Sequence, residues 1–254
     1  MKILITGSEG NIGKYLTKHL YLKHDIIATV KSKESSNIYD SLESVTTTVL
    51  DIEDFSACQN IIKNIDMVIH LAGIPSPDST FEDVLNINMI GTRNVLESAN
   101  INGIKRIIFA SSAQTIESYS IDRQIETTDP IRPKNLYGVS KCFCEALCSY
   151  YSYQKELECI SIRIAAFDEV KNQNKNLGVR DLSAYLSPKD FCKLIDKCIE
   201  VNMKEPYYIL NAVSNNTYKR LSLENTKSLV GYDPSDNAFI ECGIIQKTTD
   251  NPYT

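Results

Sequence analysis

The chain has 254 residues, 43% of them hydrophobic and 23% charged, with 27 Lys plus Arg against 32 Asp plus Glu and a formal net charge of −5. That length can bury a core without disulfide or metal staples, and the ordinary composition excludes collagen-like, disordered and small disulfide-scaffold classes. A pI near 5.3 with no basic run leaves no electrostatic footprint for nucleic acid or an anionic membrane, and no apolar run approaches the roughly 20 residues that span a bilayer.

Taken in chain order, short β-branched runs alternate with longer helical stretches. Ile3-Leu4-Ile5 reads as a buried strand that starts almost at Met1, so neither a signal nor a transit peptide is expected. Residues 11–22 read as a helix, with Ile12, Leu16 and Leu20 on one face. Strands are expected over 26–30, 45–50, 67–71, 104–110 and 158–164, and helices over 55–62, 81–99 and 135–154. Strands that alternate with helices imply an α/β fold with a doubly wound parallel sheet, whose ligand crevice lies beyond the carboxyl ends of the strands. After Ile164 the regularity breaks. Residues 167–179 are polar and read as a mobile loop, followed by a helix over 188–201, a strand over 207–212 and a short helix over 223–229. The division expected is a dinucleotide-binding core over 1–165 and a small C-terminal substrate-binding cap over 166–254 that does not fold independently.

Thr6-Gly7-Ser-Glu-Gly10-Asn11-Ile12-Gly13 follows the first strand and opens the first helix. Glycines there permit a tight turn and close approach of the backbone to a pyrophosphate, which the helix N-terminus then attracts. Dinucleotide binding is the expectation in this strand–loop–helix context; the bland alternative is a simple turn. At the end of the second strand, where an acid would accept the ribose hydroxyls of NAD, the chain has Lys31 and no carboxylate until Glu34. A cation suits a 2′-phosphate, so the cofactor is read as NADP or NAD, with NADP favoured. Asp51 and Ile52 follow the third strand and would hold the adenine, unless Asp51 caps the next helix.

Tyr137-Gly-Val-Ser-Lys141 puts a phenol and an ammonium on one face of a helix. An ammonium beside a phenol stabilises the phenolate, which can then exchange a proton with a substrate hydroxyl or carbonyl. Ser111-Ser112 ends the fifth strand at the crevice, and a serine there can orient the same oxygen. The eight cysteines (Cys58, Cys142, Cys144, Cys148, Cys159, Cys192, Cys198 and Cys242) contain no C-x-x-C pair. They read as reduced structural residues of a cytoplasmic protein. The four-residue spacing of Cys144 and Cys148 is the one feature that would suit a metal, and no metal site is assigned.

With the Gly7–Gly13 loop, His70-Leu71-Ala72-Gly73, Asn88, Phe109-Ala-Ser-Ser112 and Tyr137-x-x-x-Lys141 in this order, the chain resembles the extended short-chain dehydrogenase/reductases of the epimerase/dehydratase type. The resemblance implies a Rossmann-type core and a catalytic set of Ser112, Tyr137 and Lys141. It also implies cofactor contacts from Leu71, Ala72, Gly73, Asn88, Tyr137 and Lys141, and His70 as a structural residue. Longer stretches, Arg132-Pro-Lys-Asn-Leu-Tyr137 and Arg180-Asp-Leu-Ser-Ala-Tyr185 among them, are similar to uronate dehydrogenases. That similarity implies hydride transfer between NAD(P) and a uronic acid or related small hydroxylated substrate. Ser76, Ser112, Ala113, Gln114 and Arg180 would contact the substrate, Arg180 by gripping its carboxylate. The chain departs from that family at Ala113-Gln114 (Asn-His there), at Pro75 and Ala166 (serines there), and at Lys31, and each of the serine losses removes a polar contact to a sugar. In this superfamily the helices over 81–99 and 135–154 commonly form a dimer interface, and their surplus apolar residues fit a homodimer. Two rivals remain: a nucleotide-sugar epimerase or dehydratase that keeps NAD bound, and a non-catalytic dinucleotide sensor.

Overall fold

The β-branched runs become the strands of a parallel sheet. The structure, a computed structural model, describes residues 1–167 and 178–244. Its strands are β1 (Lys2–Thr6), β2 (Asp25–Val30), β3 (Val45–Val49), β4 (Met67–His70), β5 (Arg106–Ser112), β6 (Glu158–Ile164), β7 (Ala166–Phe167), β8 (Tyr185–Leu186) and β9 (Tyr207–Ala212). Seven of them form one sheet in the order β3-β2-β1-β4-β5-β6-β9, every pair parallel, and β7 pairs with β8. Strand order reverses direction between β1 and β4, so their carboxyl ends diverge and open a crevice there.

The described helices are α1 (Asn11–Leu20), α2 (Phe55–Ile61), α3 (Phe81–Asp83), α4 (Thr92–Ile101), α5 (Leu136–Lys155), α6 (Val179–Ser183), α7 (Pro188–Glu200), α8 (Glu224–Val230) and α9 (Ala238–Glu241). The sheet is buried on both faces. Ile3, Ile5, Ile69 and Ile108 join one core with Leu16 of α1 and Phe191 of α7; Leu4, Val68, Ile107 and Phe109 join the other with Val95 of α4 and Cys148 of α5. This is the two-residue alternation of a strand with apolar side chains on both faces. Among the described residues no helix is long and apolar enough to cross a membrane.

Several expected boundaries move. The helix expected over 81–99 is α3 and α4 joined by a wider π-helical stretch, Val84–Gly91. A Cβ at Gly91 would lie 2.6 Å from Ile52, so the widened turn seats the chain against the segment after β3 and carries Asn88 inward. β5 continues to Ser112 because its pairing with β6 runs to Ser112 opposite Ile164, past the apolar run. α1 stops at Leu20, whose carbonyl accepts the N–H groups of both Lys23 and His24. Phe167 and Val179, expected in a loop, lie in β7 and at the start of α6; residues 168–177 fall outside the described residues. The chain after residue 165 contributes to the core as well as to its cover. β9 extends the sheet beside β6, and Asp196 of α7 pairs with His19 and Lys23 at the end of α1, both at 3.0 Å.

All eight cysteines are free thiols. Burial pushes Cys58 and Cys192 up to about 12, and Cys142 and Cys144 to about 11, so these four stay protonated at neutral pH and act as packing residues.

Candidate active site

β1 runs into Gly7, whose φ of +69° turns the chain over the strand ends. A Cβ there would also sit 2.8 Å from the backbone of Ala72. Gly13 lies in the first turn of α1, where a Cβ would fall 2.6 Å from Ser8 and collide with the Gly7 carbonyl. Gly10 is the N-cap and carries no capping side chain, and α1 has no acid in its first turn. The first intrahelical bond is Lys14 N–H to Gly10 O. The N–H groups of Asn11, Ile12 and Gly13 therefore have no helical acceptor, and with the positive end of the helix dipole they form an anion cradle.

This cradle is the middle of a cleft of about 550 Å³ that crosses the carboxyl ends of the strands. One end is walled by Glu9, Lys31, Asp51, Ile52 and Glu53, beyond β2 and β3. The other is walled by Tyr137, Lys141, Ile164, Ala165 and Phe167, beside β6. Every residue expected to touch the cofactor lies on this wall except Asn88. Asn88 is buried behind it, where it accepts from Ile74 N–H at 2.8 Å and donates to Ile74 O and to Ser140 Oγ at 3.2 and 3.1 Å. Asn88 thus ties the Gly73–Ile74 wall to α5 and acts at one remove. Asp51 accepts the Glu53 N–H, whereas Asp54 caps α2 through Ala57 N–H. The capping role weighed for Asp51 therefore belongs to Asp54. His70 is fully buried between Thr6 Oγ1 (2.7 Å) and Thr92 Oγ1 (3.0 Å). Burial first, then the Lys141 charge, drive it down to about 3, so it is a neutral structural bridge at pH 7.

The long cradle, the uncapped helix and the two chemically different ends fit a dinucleotide. Carboxylates beyond β2 and β3 can take ribose hydroxyls, and backbone N–H groups in the middle can take phosphates.

α5 begins at the mouth of the cleft. Asn135 caps it by accepting Gly138 N–H at 2.8 Å, which puts Tyr137 in the first turn and Lys141 one turn on. Gly138 lets that turn press against the Gln114 carbonyl, which any Cβ would strike. Lys141 Nζ donates to Ala110 O at 2.8 Å and lies 5.7 Å from the Tyr137 ring centre and 4.8 Å from that of Phe109. Both Tyr137 and Lys141 are buried.

The two serines divide their roles. Ser111 Oγ donates to Glu145 Oε1 at 2.6 Å, which commits its proton. Ser112 Oγ accepts Gln114 N–H at 3.2 Å, which leaves its own proton to donate. Beneath them Arg163 holds Glu145 in a two-point ion pair, both contacts 2.9 Å, with both side chains about 95% buried or more.

The substrate residues expected from the sequence are less tightly gathered. Among the described residues the cleft wall includes Pro75 but not Ser76, Ser112, Ala113, Gln114 or Arg180. Ser76 turns to accept Asp78 N–H, Ala113 is buried in the core, and Gln114 Oε1 accepts from Asn135. Arg180, expected to face a substrate carboxylate, instead donates from Nε and Nη2 to Glu117 Oε1 at 3.0 and 2.8 Å, and from Nη1 to Asp181 at 3.4 Å. The protein's own carboxylates already compensate its charge. Glu9 and Glu117 gain their place at the site from the tertiary structure. The signal for Glu9 was present as the acid between two loop glycines; for Glu117, 63 residues from its partner, there was none.

The profile of the NAD dependent epimerase/dehydratase family matches residues 3–167. The chain is 31% identical to L-arabinose 1-dehydrogenase (NAD(P)(+)) of Haloferax volcanii, over 93% of this chain and 97% of that one. It is 34% identical to uronate dehydrogenase of Pseudomonas putida, over 77% of this chain and 70% of that one. Glucuronic acid dehydrogenase from Chromohalobacter salexigens superposes with a TM-score of 0.85 and 28% identity, over 100% of this chain and 92% of that one.

Proposed function

Because the chain belongs to the NAD-dependent epimerase/dehydratase family, we propose that it is an NAD(P)-dependent dehydrogenase acting on a small free sugar or sugar acid. The reading is carried above all by Tyr137 and Lys141 lining the same cleft as the glycine loop. Relatives named as an L-arabinose and a uronate dehydrogenase, over 93% and 99% of this chain, favour it over a nucleotide-sugar epimerase.

When bound, the nicotinamide supplies the hydride acceptor or donor. The residues do the rest. Tyr137 Oη takes the proton from the substrate hydroxyl as its carbon is oxidised, and returns it in the reverse direction. The Lys141 ammonium, fixed on Ala110 O, faces the Tyr137 ring, and its other N–H groups are donors for ribose hydroxyls. Ser112, whose proton is uncommitted next to the cleft-lining Ser111, would turn to donate to the same substrate oxygen and hold it against Tyr137. Burial of this end of the cleft strengthens each of these interactions.

The test is nicotinamide absorbance in a panel of aldoses, uronic acids and their lactones, with NAD and with NADP. Turnover of at least one sugar is expected. No turnover with either cofactor, from protein purified with NAD tightly bound, would favour the epimerase reading.

The proposal extends to a homodimer built on α4 and α5. Ile101, Val139, Phe143, Tyr150 and Tyr153 are each 40% exposed or more along this helix pair, a larger apolar surface than one subunit covers. Phe143→Glu is expected to convert a dimer to a monomer by light scattering while dinucleotide binding survives; an unchanged mass would remove this face from the interface. We assign the protein to the cytoplasm, a reading supported by eight unpaired thiols. Its recovery in a secreted fraction would contradict that.

A further inference from the structure

We propose that Glu9, a carboxylate carried by the glycine loop itself, decides between the two forms of the dinucleotide, and decides for NAD. The inference rests on the dehydrogenase reading of the cleft. NAD and NADP differ by one 2′-phosphate on the adenosine ribose, and in a parallel sheet of this kind that ribose lies beyond the carboxyl end of the second strand. Lys31 stands there, and taken alone it argues for the phosphate.

The tertiary structure adds an acid from another element. Glu9 Oε1 accepts the backbone N–H of Lys31 at 2.6 Å, and both residues line the same end of the cleft. A backbone donor that would serve a phosphate oxygen is thereby occupied. The second oxygen of Glu9 and its remaining lone pairs are acceptors, matched to ribose hydroxyls, which donate, and not to a phosphate, which only accepts.

Charge points the same way. Among the described residues, Glu9, Asp51 and Glu53 wall this end, with Lys31 as its one ammonium. A 2′-phosphate would bring about two further negative charges into that surrounding.

The backbone that leads into Glu9 is also held in place. Its neighbour Ser8 is clamped to β2 by N–H and Oγ bonds to Thr29 O, at 3.0 and 2.9 Å, and Tyr39 Oη donates to Ser8 O at 2.6 Å. The loop that presents the carboxylate is thereby fixed against β2, and the side chain itself is tied to the Lys31 N–H.

The test is titration of the purified protein, without sugar, with NADH and with NADPH, followed by nicotinamide fluorescence. The unmodified protein is expected to bind NADH at least about tenfold more tightly, the scale of one charged hydrogen bond. Glu9→Gln keeps an oxygen for the Lys31 N–H but loses the charge, and is expected to narrow the ratio about tenfold, mainly by tighter NADPH binding. Tighter NADPH binding by the unmodified protein, or a ratio unmoved in Glu9→Gln, would overturn the inference while leaving the dehydrogenase reading intact. Binding of neither dinucleotide would overturn both.

Discussion

Tyr137→Phe is expected to lower kcat by about 10²- to 10⁴-fold, the usual loss when a positioned general acid–base is removed. The change deletes one oxygen and keeps the ring. The ring is 8% exposed and lies 5.7 Å from Lys141 Nζ, so the packing and the ammonium that faces it survive. Lys141 remains fixed by Ala110 O, and the glycine-loop cradle is untouched. Dinucleotide affinity is therefore expected to hold while turnover collapses, so that kcat and kcat/KM fall together. Steady-state kinetics beside a fluorescence titration separates the two. A variant that turned over sugar within a few-fold of the parent would show that the proton moves through another group.

Glu145→Ala is expected to cost the fold about 3–5 kcal/mol, the range for removing one partner of a buried ion pair. Burial works against the charge on Arg163, and the two-point bond and attraction of Glu145 more than offset it. With Glu145 gone, a guanidinium whose side chain is 2% exposed would keep the Thr127 carbonyl at 3.4 Å but no carboxylate. The pair joins α5 to β6, and Ser111 adds β5 to the same carboxylate. It therefore sets where the helix bearing Tyr137 and Lys141 sits. Urea unfolding measures the loss; a change below about 1 kcal/mol would mean that water or a rearranged neighbour solvates Arg163. Replacing both partners by apolar residues of similar volume is expected to recover most of the stability and less of the activity, because the directional tie between α5 and the strands goes with the charges.

The sequence by itself determined the local machinery. A β-branched run, three glycines at fixed spacing and an amphipathic stretch specify β1, the cradle and α1, because their conformations depend on neighbours within a few residues. The four-residue step from Tyr137 to Lys141 likewise needs only a helix to put both on one face. The tertiary structure alone decided which polar groups those parts would meet. Lys31 offers a cation to a phosphate, and the fold meets it at its backbone N–H with the Glu9 carboxylate, 22 residues away. Arg180 offers a guanidinium to any carboxylate, and in this structure the one it meets is Glu117. Asn88 can both donate and accept, and the π-helical stretch turns it to Ile74 and Ser140. A side chain's type states what bonds it can form, but the partner it finds is set by sheet order and crossover connections that bring remote segments within 3 Å, and no local pattern carries that information.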